Sequence, residues 1–473
     1  MPINAPEVAI ALDLGSTSIK AALLDQHGEL RNIVSRPAPE IEHQGERYES
    51  DALRYLEIAE AALSECLANT ESKPPLGLCS QRSSFLIWDK KSGIPVTPLI
   101  SWQDSRGSHF YDETGKAAKV AKIAALIPAL TGLRLTPYYF APKLSVLLRD
   151  HPDWREKLIQ GIWLAGTLDT FLIWRWSNGQ YFCTDVSMAA RTLLMDIHQQ
   201  QWSEELCSLF NIPSRILPRI MPSARLNLSV LDTLMLQASV GDQSAALFAS
   251  VMNDSSKALV NLGTGGFVIR CLKGDVQPLD GYLHTLVYQD RHRAVYMASE
   301  GTLNSIAAAL APYPFRTCKI DEFATSDIMC LAEPSGLGAP YFNSHLGVCF
   351  SVSTEALTTR QTAVLLLEAI VFRVVRILED YHRQMPLTQV YLSGGLSELA
   401  CLQQGIAQCV SFPVMHLQQK EASLLGAALF AAHDKIHIHL RAKEIEVVFR
   451  NRALIKKYHQ WKRWLDGLLE SRG

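Results

Sequence analysis

The chain of 473 residues is too long for one ordinary hydrophobic core, so its length predicts two domains. Its composition, 48% hydrophobic and 19% charged, is typical of a soluble globular protein, and a formal net charge of -2 gives no field that would favour nucleic acid or an anionic membrane. The ten cysteines occur without a C-x-x-C pair or a neighbouring His cluster, which argues against a zinc site and a disulfide framework.

The first predicted element is a hairpin at residues 8–26, VAIALDLGSTSIKAALLDQ, which follows an N-terminus without a basic region. We therefore expect no signal peptide and no membrane anchor, and a cytoplasmic protein. The turn offers backbone N–H groups and hydroxyls to phosphate, and it consists of Gly15, Ser16 and Thr17. Asp13 beside it could hold Mg²⁺ directly or through water, and Lys20 could add positive charge. An ordinary glycine turn with a surface aspartate is the alternative interpretation.

A second hairpin is predicted at residues 258–271, ALVNLGTGGFVIRC, after helical stretches that include 51–67 and 139–150. Its turn again supplies small residues that suit phosphate, namely Gly263, Thr264, Gly265 and Gly266. Two hairpins of one kind, half a chain apart, indicate a duplicated α/β architecture with a nucleotide held in the cleft between the domains. We place the domains at residues 1–248 and 249–473.

The remaining elements follow the second hairpin. A helix is predicted at residues 360–384, and YLSGGLSEL at 391–399 predicts a strand, a turn at Gly394 and Gly395, and a helix. The two glycines could admit a flat or anionic ligand, or form a plain strand-to-helix turn. The segment EASLLGAALFAA is either close helix packing or one wall of an adenine pocket. Residues 436–473 predict a helical extension, to which we assign no function.

With these segments in order, the chain resembles the FGGY carbohydrate kinases across residues 8–433, and most of all the glycerol kinases among them. The dense part of the resemblance runs through GLCSQRSSFLIWDKKSGIPVTPLISWQDSRGS, LTPYYFAPKL, GTLDTFLIW, TDVSMAARTLLMDIHQQQW and GDQSAALFAS, and it continues in NLGTGGFVI, EGTLNS, PSGLGAPYF and SGGLSEL. It implies two actin-like domains of the hexokinase, Hsp70 ATPase and ribonuclease H type. It also implies ATP, Mg²⁺, transfer of the γ-phosphoryl group to a hydroxyl of a small polyol or sugar, and a homodimer or homotetramer.

The resemblance also assigns roles to individual residues. Asp242, which by itself reads as a helix N-cap, matches the catalytic base that takes the proton of the substrate hydroxyl. The residues that it places at the substrate are Arg82, Ser83, Trp102, Tyr138, Gln243 and Phe267. The residues that it places at the nucleotide are Gly15, Ser16, Thr17, Lys20, Gly263, Thr264, Gly265, Gly301, Gly394 and Gly395.

The chain departs from the glycerol kinase pattern at Ser83, where a glutamate is usual, because a short hydroxyl makes one weaker bond and leaves extra volume. It departs again at Ile19, where a small hydroxyl residue is usual, and at Lys20, where arginine is usual. The first departure puts glycerol in doubt and permits a larger polyol or a ketose of the xylulose or ribulose type. A catalytically degenerate sugar sensor, and a filament protein or chaperone ATPase on the same fold, are the further alternatives.

Overall fold

The structure is a computed structural model, and it describes residues 7–68, 70, 73–113, 117–274, 276–290, 292–432, 436, 440–447 and 450–471. The chain forms two compact units, each assembled from several stretches of sequence. The first unit comprises Met1–Ala249, Thr285–Met297 and Glu421–His439, and the second comprises Ser250–His284, Ala298–Lys420 and Leu440–Gly473.

The strands of the described chain are β1 (Glu7–Leu14), β2 (Ser18–Asp25), β3 (Leu30–Pro37), β4 (Glu42–Gln44), β5 (Arg47–Ser50), β6 (Leu76–Ser80), β7 (Phe85–Asp89), β8 (Leu99–Ile100), β9 (Trp163–Thr167), β10 (Cys183–Asp185), β11 (Met195–Asp196), β12 (Gln201–Trp202), β13 (Arg219–Met221), β14 (Ala224–Val230), β15 (Leu234–Gly241), β16 (Lys257–Leu262), β17 (Gly266–Cys271), β18 (Leu283–Gln289), β19 (Val295–Leu303), β20 (Cys330–Leu331), β21 (Cys349–Phe350), β22 (Gln389–Ser393), β23 (Val414–Leu417) and β24 (Ala442–Glu444).

The α-helices of the same residues are α1 (Ala52–Leu67), α2 (Ala117–Thr131), α3 (Phe140–Asp150), α4 (Pro152–Ile159), α5 (Leu168–Trp176), α6 (Val186–Ala189), α7 (Glu204–Leu209), α8 (Asp242–Val251), α9 (Ile306–Leu310), α10 (Thr359–Gln384), α11 (Ala400–Cys409), α12 (Ala422–Ala431) and α13 (Arg452–Ser471). Within the part of the chain that is described, no helix is both long and apolar enough to cross a membrane.

The central sheet of the first unit has the strand order β14-β15-β6-β1-β2-β3. Strand β1 pairs antiparallel with β2 and parallel with β6, which in turn pairs parallel with β15. The strands β1 and β6 are almost continuous runs of buried apolar residues because helices α1, α5 and α12 pack against them. A further sheet of this unit has the order β4-β5-β8-β7-β9.

In the second unit, the neighbouring strands β17-β16-β22-β23-β24 repeat these pairings. Strand β16 pairs antiparallel with β17 and parallel with β22, and β22 pairs parallel with β23. The duplicated α/β architecture expected from the two hairpins is therefore confirmed. The long helix α10, begun by a capping box of Thr358 and Gln361, supplies much of the core of this unit.

Most predicted elements are confirmed within a residue or two. The hairpins are β1–β2 and β16–β17, and the helices predicted at residues 51–67, 139–150 and 360–384 are α1, α3 and α10. All ten cysteines are free, as expected. The predicted C-terminal extension contains β24 and α13; its residues 437–439, 448–449 and 472–473 lie outside the described residues. The predicted division at residues 248 and 249 stays a prediction.

Candidate active site

The turn of the first hairpin places Asp13 at the end of a buried strand, opposite Lys20. The side chain of Asp13 accepts a hydrogen bond from Ser423 Oγ at 2.6 Å through Oδ2. Its other oxygen, Oδ1, is buried without a well-formed hydrogen bond from any residue that the structure describes. Burial, reinforced by the negative charge of Asp242, raises the pKa of Asp13 to about 6, against the opposing effects of Ser423 and Lys20.

Asp242 stands where β15 passes directly into α8, with no loop between them. Its Oδ1 accepts a hydrogen bond from the backbone N–H of Gln243 at 2.7 Å and lies 3.7 Å from Nε of Arg82. Burial raises the pKa of Asp242, and the guanidinium of Arg82 opposes this shift. Asp242 is thus the first residue of α8 and not the N-cap before it that the sequence suggests, because β15 runs directly into the helix. Its carboxylate faces the guanidinium of Arg82 within the same unit.

Arg82 lies beside the point where β15 passes into α8, and it contacts Gln243 as well as Asp242. Its Nη2 donates to Oε1 of Gln243, so that the predicted substrate residues Arg82, Asp242 and Gln243 form one contiguous group. Gly241 makes this arrangement possible, because a Cβ at that position would lie only 2.8 Å from Cδ of Arg82. A larger residue at 241 would therefore displace the arginine.

A buried polar network that sequence reasoning missed supports the backbone before Asp242. The N–H of Gly241 donates to Ser187 Oγ at 2.8 Å, and that hydroxyl donates to Oδ1 of Asp185 at 3.0 Å. Asp185 also accepts from Ser223 Oγ at 2.6 Å, and burial raises its pKa to about 7. The TDVS segment was visible in the sequence, but its contact with residue 241 depends on long-range packing.

Ser83 adopts a left-handed backbone conformation, with φ of 64°. Its hydroxyl donates to the backbone carbonyl of Arg191 at 3.1 Å, and the side chain is buried. The positive charge of Arg191, which sequence reasoning also missed, opposes the rise in the pKa of Asp242. The short side chain of Ser83 is therefore committed to a protein contact.

The two predicted aromatic residues of the first unit are unusually open to solvent. Trp102 is 42% exposed and Tyr138 is 49% exposed, although both are large. The N–H of Trp102 donates to Ser84 Oγ at 2.9 Å, next to Ser83. The loop that follows Trp102 approaches the one before Tyr138, since a Cβ at Gly107 would lie 2.3 Å from the carbonyl oxygen of Pro137. Aromatic side chains commonly line ligand pockets, and both of these rings have surface available for such a contact.

Lys20 forms an ion pair within the first unit. Its Nζ lies 2.6 Å from Oε2 of Glu421, and both side chains are about three-quarters buried. The carboxylate balances the ammonium charge in this structure. The predicted contact of Lys20 with phosphate stays a prediction.

The remaining predicted residues lie in the second unit. Gly263, Thr264 and Gly265 form the turn between β16 and β17, closed by a hydrogen bond from Gly263 N–H to the Gly265 carbonyl at 2.8 Å. Gly394, with φ of 88°, packs on the end of β16, where a Cβ would lie 2.4 Å from the carbonyl oxygen of Leu262. The two glycine turns are therefore neighbours.

Three further predicted residues of the second unit differ in how much space surrounds them. A Cβ at Gly395 would meet nothing within 4 Å, which leaves room for a ligand. Phe267 lies on β17 and is partly exposed. Gly301, by contrast, is buried on β19, where a Cβ would meet Ile377 at 2.8 Å, so close packing against α10 already accounts for the glycine.

Comparison with known proteins decides the family. The model of the FGGY family of carbohydrate kinases, N-terminal domain, matches residues 8–260, and that of the C-terminal domain matches residues 258–434. The chain belongs to the FGGY family of carbohydrate kinases.

Relatives and solved structures agree with the FGGY assignment. An apulose kinase from Pectobacterium atrosepticum is 30% identical over 96% of this chain and 97% of its own length. A glycerol kinase from Koribacter versatilis is 29% identical over 89% of this chain and 88% of its own length. The crystal structure of Plasmodium falciparum glycerol kinase with ADP, 22% identical, covers 97% of this chain and 98% of its own with a TM-score of 0.83.

As an FGGY kinase, the protein is an ATP-dependent phosphotransferase that acts on an alcohol group of a sugar or polyol. The two-domain, actin-like α/β fold expected from the sequence is confirmed. This assignment excludes the alternatives of a filament protein and of a chaperone ATPase on the same fold.

Proposed function

We propose that this kinase transfers the γ-phosphoryl group of ATP to a hydroxyl of a ketose or of a polyol longer than glycerol, with glycerol as the second candidate. The choice of substrate rests on one observation, the hydrogen bond that the side chain of Ser83 makes to the protein. Its one hydroxyl hydrogen is donated to the carbonyl of Arg191, so this position offers no carboxylate to two adjacent substrate hydroxyls. The relative named apulose kinase, which matches the chain almost from end to end, supports the same class.

We propose Asp242 as the base and Arg82 with Gln243 as the group that binds the sugar. Because Oδ1 of Asp242 is held by the N–H of Gln243, its Oδ2 is the oxygen that takes the proton of the attacking hydroxyl. The guanidinium of Arg82 fixes the amide of Gln243 through its oxygen, which sets the direction of the amide toward the sugar. Trp102 and Tyr138 then cover the carbon chain of the substrate.

The residues near Asp13 fit a magnesium ion. Mg²⁺ is commonly held by one or two carboxylates together with substrate phosphates, and when bound it neutralises charge on the γ-phosphoryl group. Asp13 offers a buried oxygen without a well-formed hydrogen bond from the described residues, close enough to Asp242 for the two charges to interact. We propose that Asp13 holds the ion directly or through water, and that the backbone of Gly15, Ser16 and Thr17 contacts the phosphates.

A substrate panel tests the proposal. Consumption of ATP with xylulose, ribulose, apulose, longer polyols and glycerol, measured as kcat/KM, should give its highest value with a ketose or longer polyol. A highest value with glycerol would refute the choice of substrate. A protein that binds sugar without consuming ATP would be the degenerate sensor.

Replacing Ser83 by glutamate should raise the ratio of kcat/KM for glycerol to that for the best larger substrate about tenfold or more. Each hydrogen bond to a charged group contributes roughly 1.5–3 kcal/mol, and the longer side chain fills volume that a larger substrate needs. Ser83→Gln is the matched control, since it has the same shape without the charge. If Ser83→Glu and wild type show the same ratio, other residues determine the choice of substrate.

The kcat/KM for the sugar should fall at acidic pH. The base and the metal ligand must both be ionised, and the pKa values of Asp242 and Asp13 are both raised, that of Asp13 to about 6. Protonation as the pH falls through this range removes activity, so kcat/KM for the sugar, which reports the ionisation of the free enzyme, should decline below about pH 6. A profile of kcat/KM from pH 4.5 to 8.5 measures this. A kcat/KM that is constant down to pH 4.5 would contradict both assignments.

A further inference from the structure

Lys143 is a buried cation in the first unit that the reaction described so far does not use. It lies one turn into α3 and has no solvent exposure. Its Nζ donates to two backbone carbonyl oxygens, that of Ser83 at 3.0 Å and that of Ser101 at 2.8 Å. Burying an ammonium group costs several kcal/mol, so such a group needs strong partners.

The two carbonyls belong to the two loops that carry the sugar-binding candidates. Ser83 directly follows Arg82, and Ser101 directly precedes Trp102. The ammonium group of Lys143 therefore links the backbone next to Arg82 to the backbone next to Trp102. Both loops come to the start of α3, which Tyr138 precedes by two residues.

The backbone at Ser83 is also strained and needs to be held. A serine with φ of 64° is in the left-handed region, which is unfavourable for residues other than glycine and persists only where the surroundings impose it. Here the carbonyl of Ser83 is held by Lys143 and its hydroxyl by the carbonyl of Arg191. Residue 83 is thus fixed on both sides, and Arg82 with it.

The charge of Lys143 is balanced only in part. Burial lowers its pKa to about 7, Arg106 lowers it further, and Asp104 opposes the shift. The ring centroid of Phe85 lies 5.6 Å from Nζ and also favours the cation. Asp104 itself is bound to Arg106 at 2.7 Å, so the two groups act on Lys143 together.

We infer that Lys143 is a positioning residue for the sugar site, which fixes the backbone at Ser83 and Ser101 so that Arg82 and Trp102 meet the substrate. This inference rests on the proposed roles of Arg82 and Trp102. It predicts an effect on sugar binding that is separate from the effect of any buried lysine on stability.

Replacing Lys143 by methionine should raise the KM for the best sugar about 10- to 100-fold, because displacing a binding group by an ångström costs up to about two orders of magnitude. The KM for ATP should stay within about threefold. The matched control is Lys457→Met, which removes another buried ammonium, one paired with Glu368 in the second unit. The control should lower the melting temperature and leave the sugar KM unchanged. Equal sugar KM values for Lys143→Met and wild type would overturn the inference.

If Lys143→Met does not fold, the unaltered enzyme decides. A charged donor makes a stronger hydrogen bond than a neutral one, so loss of the proton should weaken the hold on both loops. The sugar KM of wild type should then rise about fivefold as the pH increases through about 7, with the ATP KM constant. The ionisable groups that act on Lys143 are Asp104 and Arg106, whose side chains form an ion pair with each other. A sugar KM that stays constant across the pH range in which the Lys143 amine loses its proton, followed by NMR of the isotopically labelled ε-amine, would overturn the inference.

Arg82→Met separates the two possible failures. If this variant binds sugar as well as wild type does, the proposed function of Arg82 is wrong and Lys143 has nothing to position there. If Arg82→Met raises the sugar KM while Lys143→Met does not, the proposed function stands and the inference about Lys143 is wrong.

Discussion

Replacing Asp242 by asparagine should lower kcat by about two to four orders of magnitude, the range for loss of a positioned acid or base. The amide keeps an oxygen that can accept the Gln243 N–H but cannot take a proton from the substrate hydroxyl. Because no volume is lost and Arg82 keeps its contact with Gln243, the KM values for sugar and ATP should change less than about threefold. Steady-state kinetics with both substrates varied measure the loss of kcat and the two KM values. Calorimetry measures the binding of sugar independently of turnover.

A matched control addresses the alternative that Asp242 serves only the start of α8. Asp51 caps α1 in the same unit, accepting hydrogen bonds from the N–H groups of Leu53 and Arg54. Asparagine caps helices about as well as aspartate, so Asp51→Asn should leave kcat unchanged. If Asp242→Asn behaved like this control, the aspartate would be a helix residue and another group would be the base.

Local patterns sufficed for the parts of the site that are encoded locally. The hairpin turns and the change from strand to helix at Asp242 each depend on a few consecutive residues, so glycine placement and apolar periodicity reveal them. The same patterns predicted the duplicated sheets, because each half repeats a hairpin followed by parallel strands.

Contacts between distant segments could not be predicted in this way. Ser423 meets Asp13 across 410 positions, Lys143 meets Ser83 across 60, and Ser187 meets Gly241 across 54. No sequence periodicity relates such pairs of residues. The sequence alone also does not distinguish a buried lysine from a lysine on the surface. The packing of Gly301 against Ile377 likewise appears only once β19 and α10 are folded.

The pair Asp13 and Asp242 illustrates how a site can oppose stability. Two carboxylates that raise each other's energy, one of them with a buried oxygen lacking a well-formed hydrogen bond from the described residues, are unfavourable for the folded protein alone. Such an arrangement is reasonable where a cation and phosphates compensate it during turnover. Stability and function should then respond in opposite directions to its removal.

Replacing Asp13 by asparagine should therefore raise stability and lower function. The pKa of Asp13 is raised from 3.8 to about 6, so the folded protein favours the protonated carboxyl. The stability that this contributes is fully present below about pH 4 and is lost as the group ionises while the pH rises through 6. The variant lacks this loss, and at pH 8 its free energy of unfolding should exceed that of wild type by on the order of 2 kcal/mol. The Mg²⁺ concentration needed for half-maximal activity should rise about 10- to 100-fold, because an anionic ligand or its water-mediated equivalent is gone.

Denaturant unfolding from pH 4 to 8 and calorimetric titration of Mg²⁺-ADP measure the two effects of Asp13→Asn independently of turnover. Asp169→Asn is the matched control, since Asp169 is buried in the same unit, accepts a hydrogen bond from Thr184 Oγ1 at 2.9 Å, and also has a raised pKa. The control should gain stability at high pH in the same sense, while its affinity for Mg²⁺-ADP equals that of wild type. An Asp13→Asn protein that binds Mg²⁺-ADP as tightly as wild type, whatever its stability, would show that Asp13 is one more buried carboxylate and that the metal is held elsewhere.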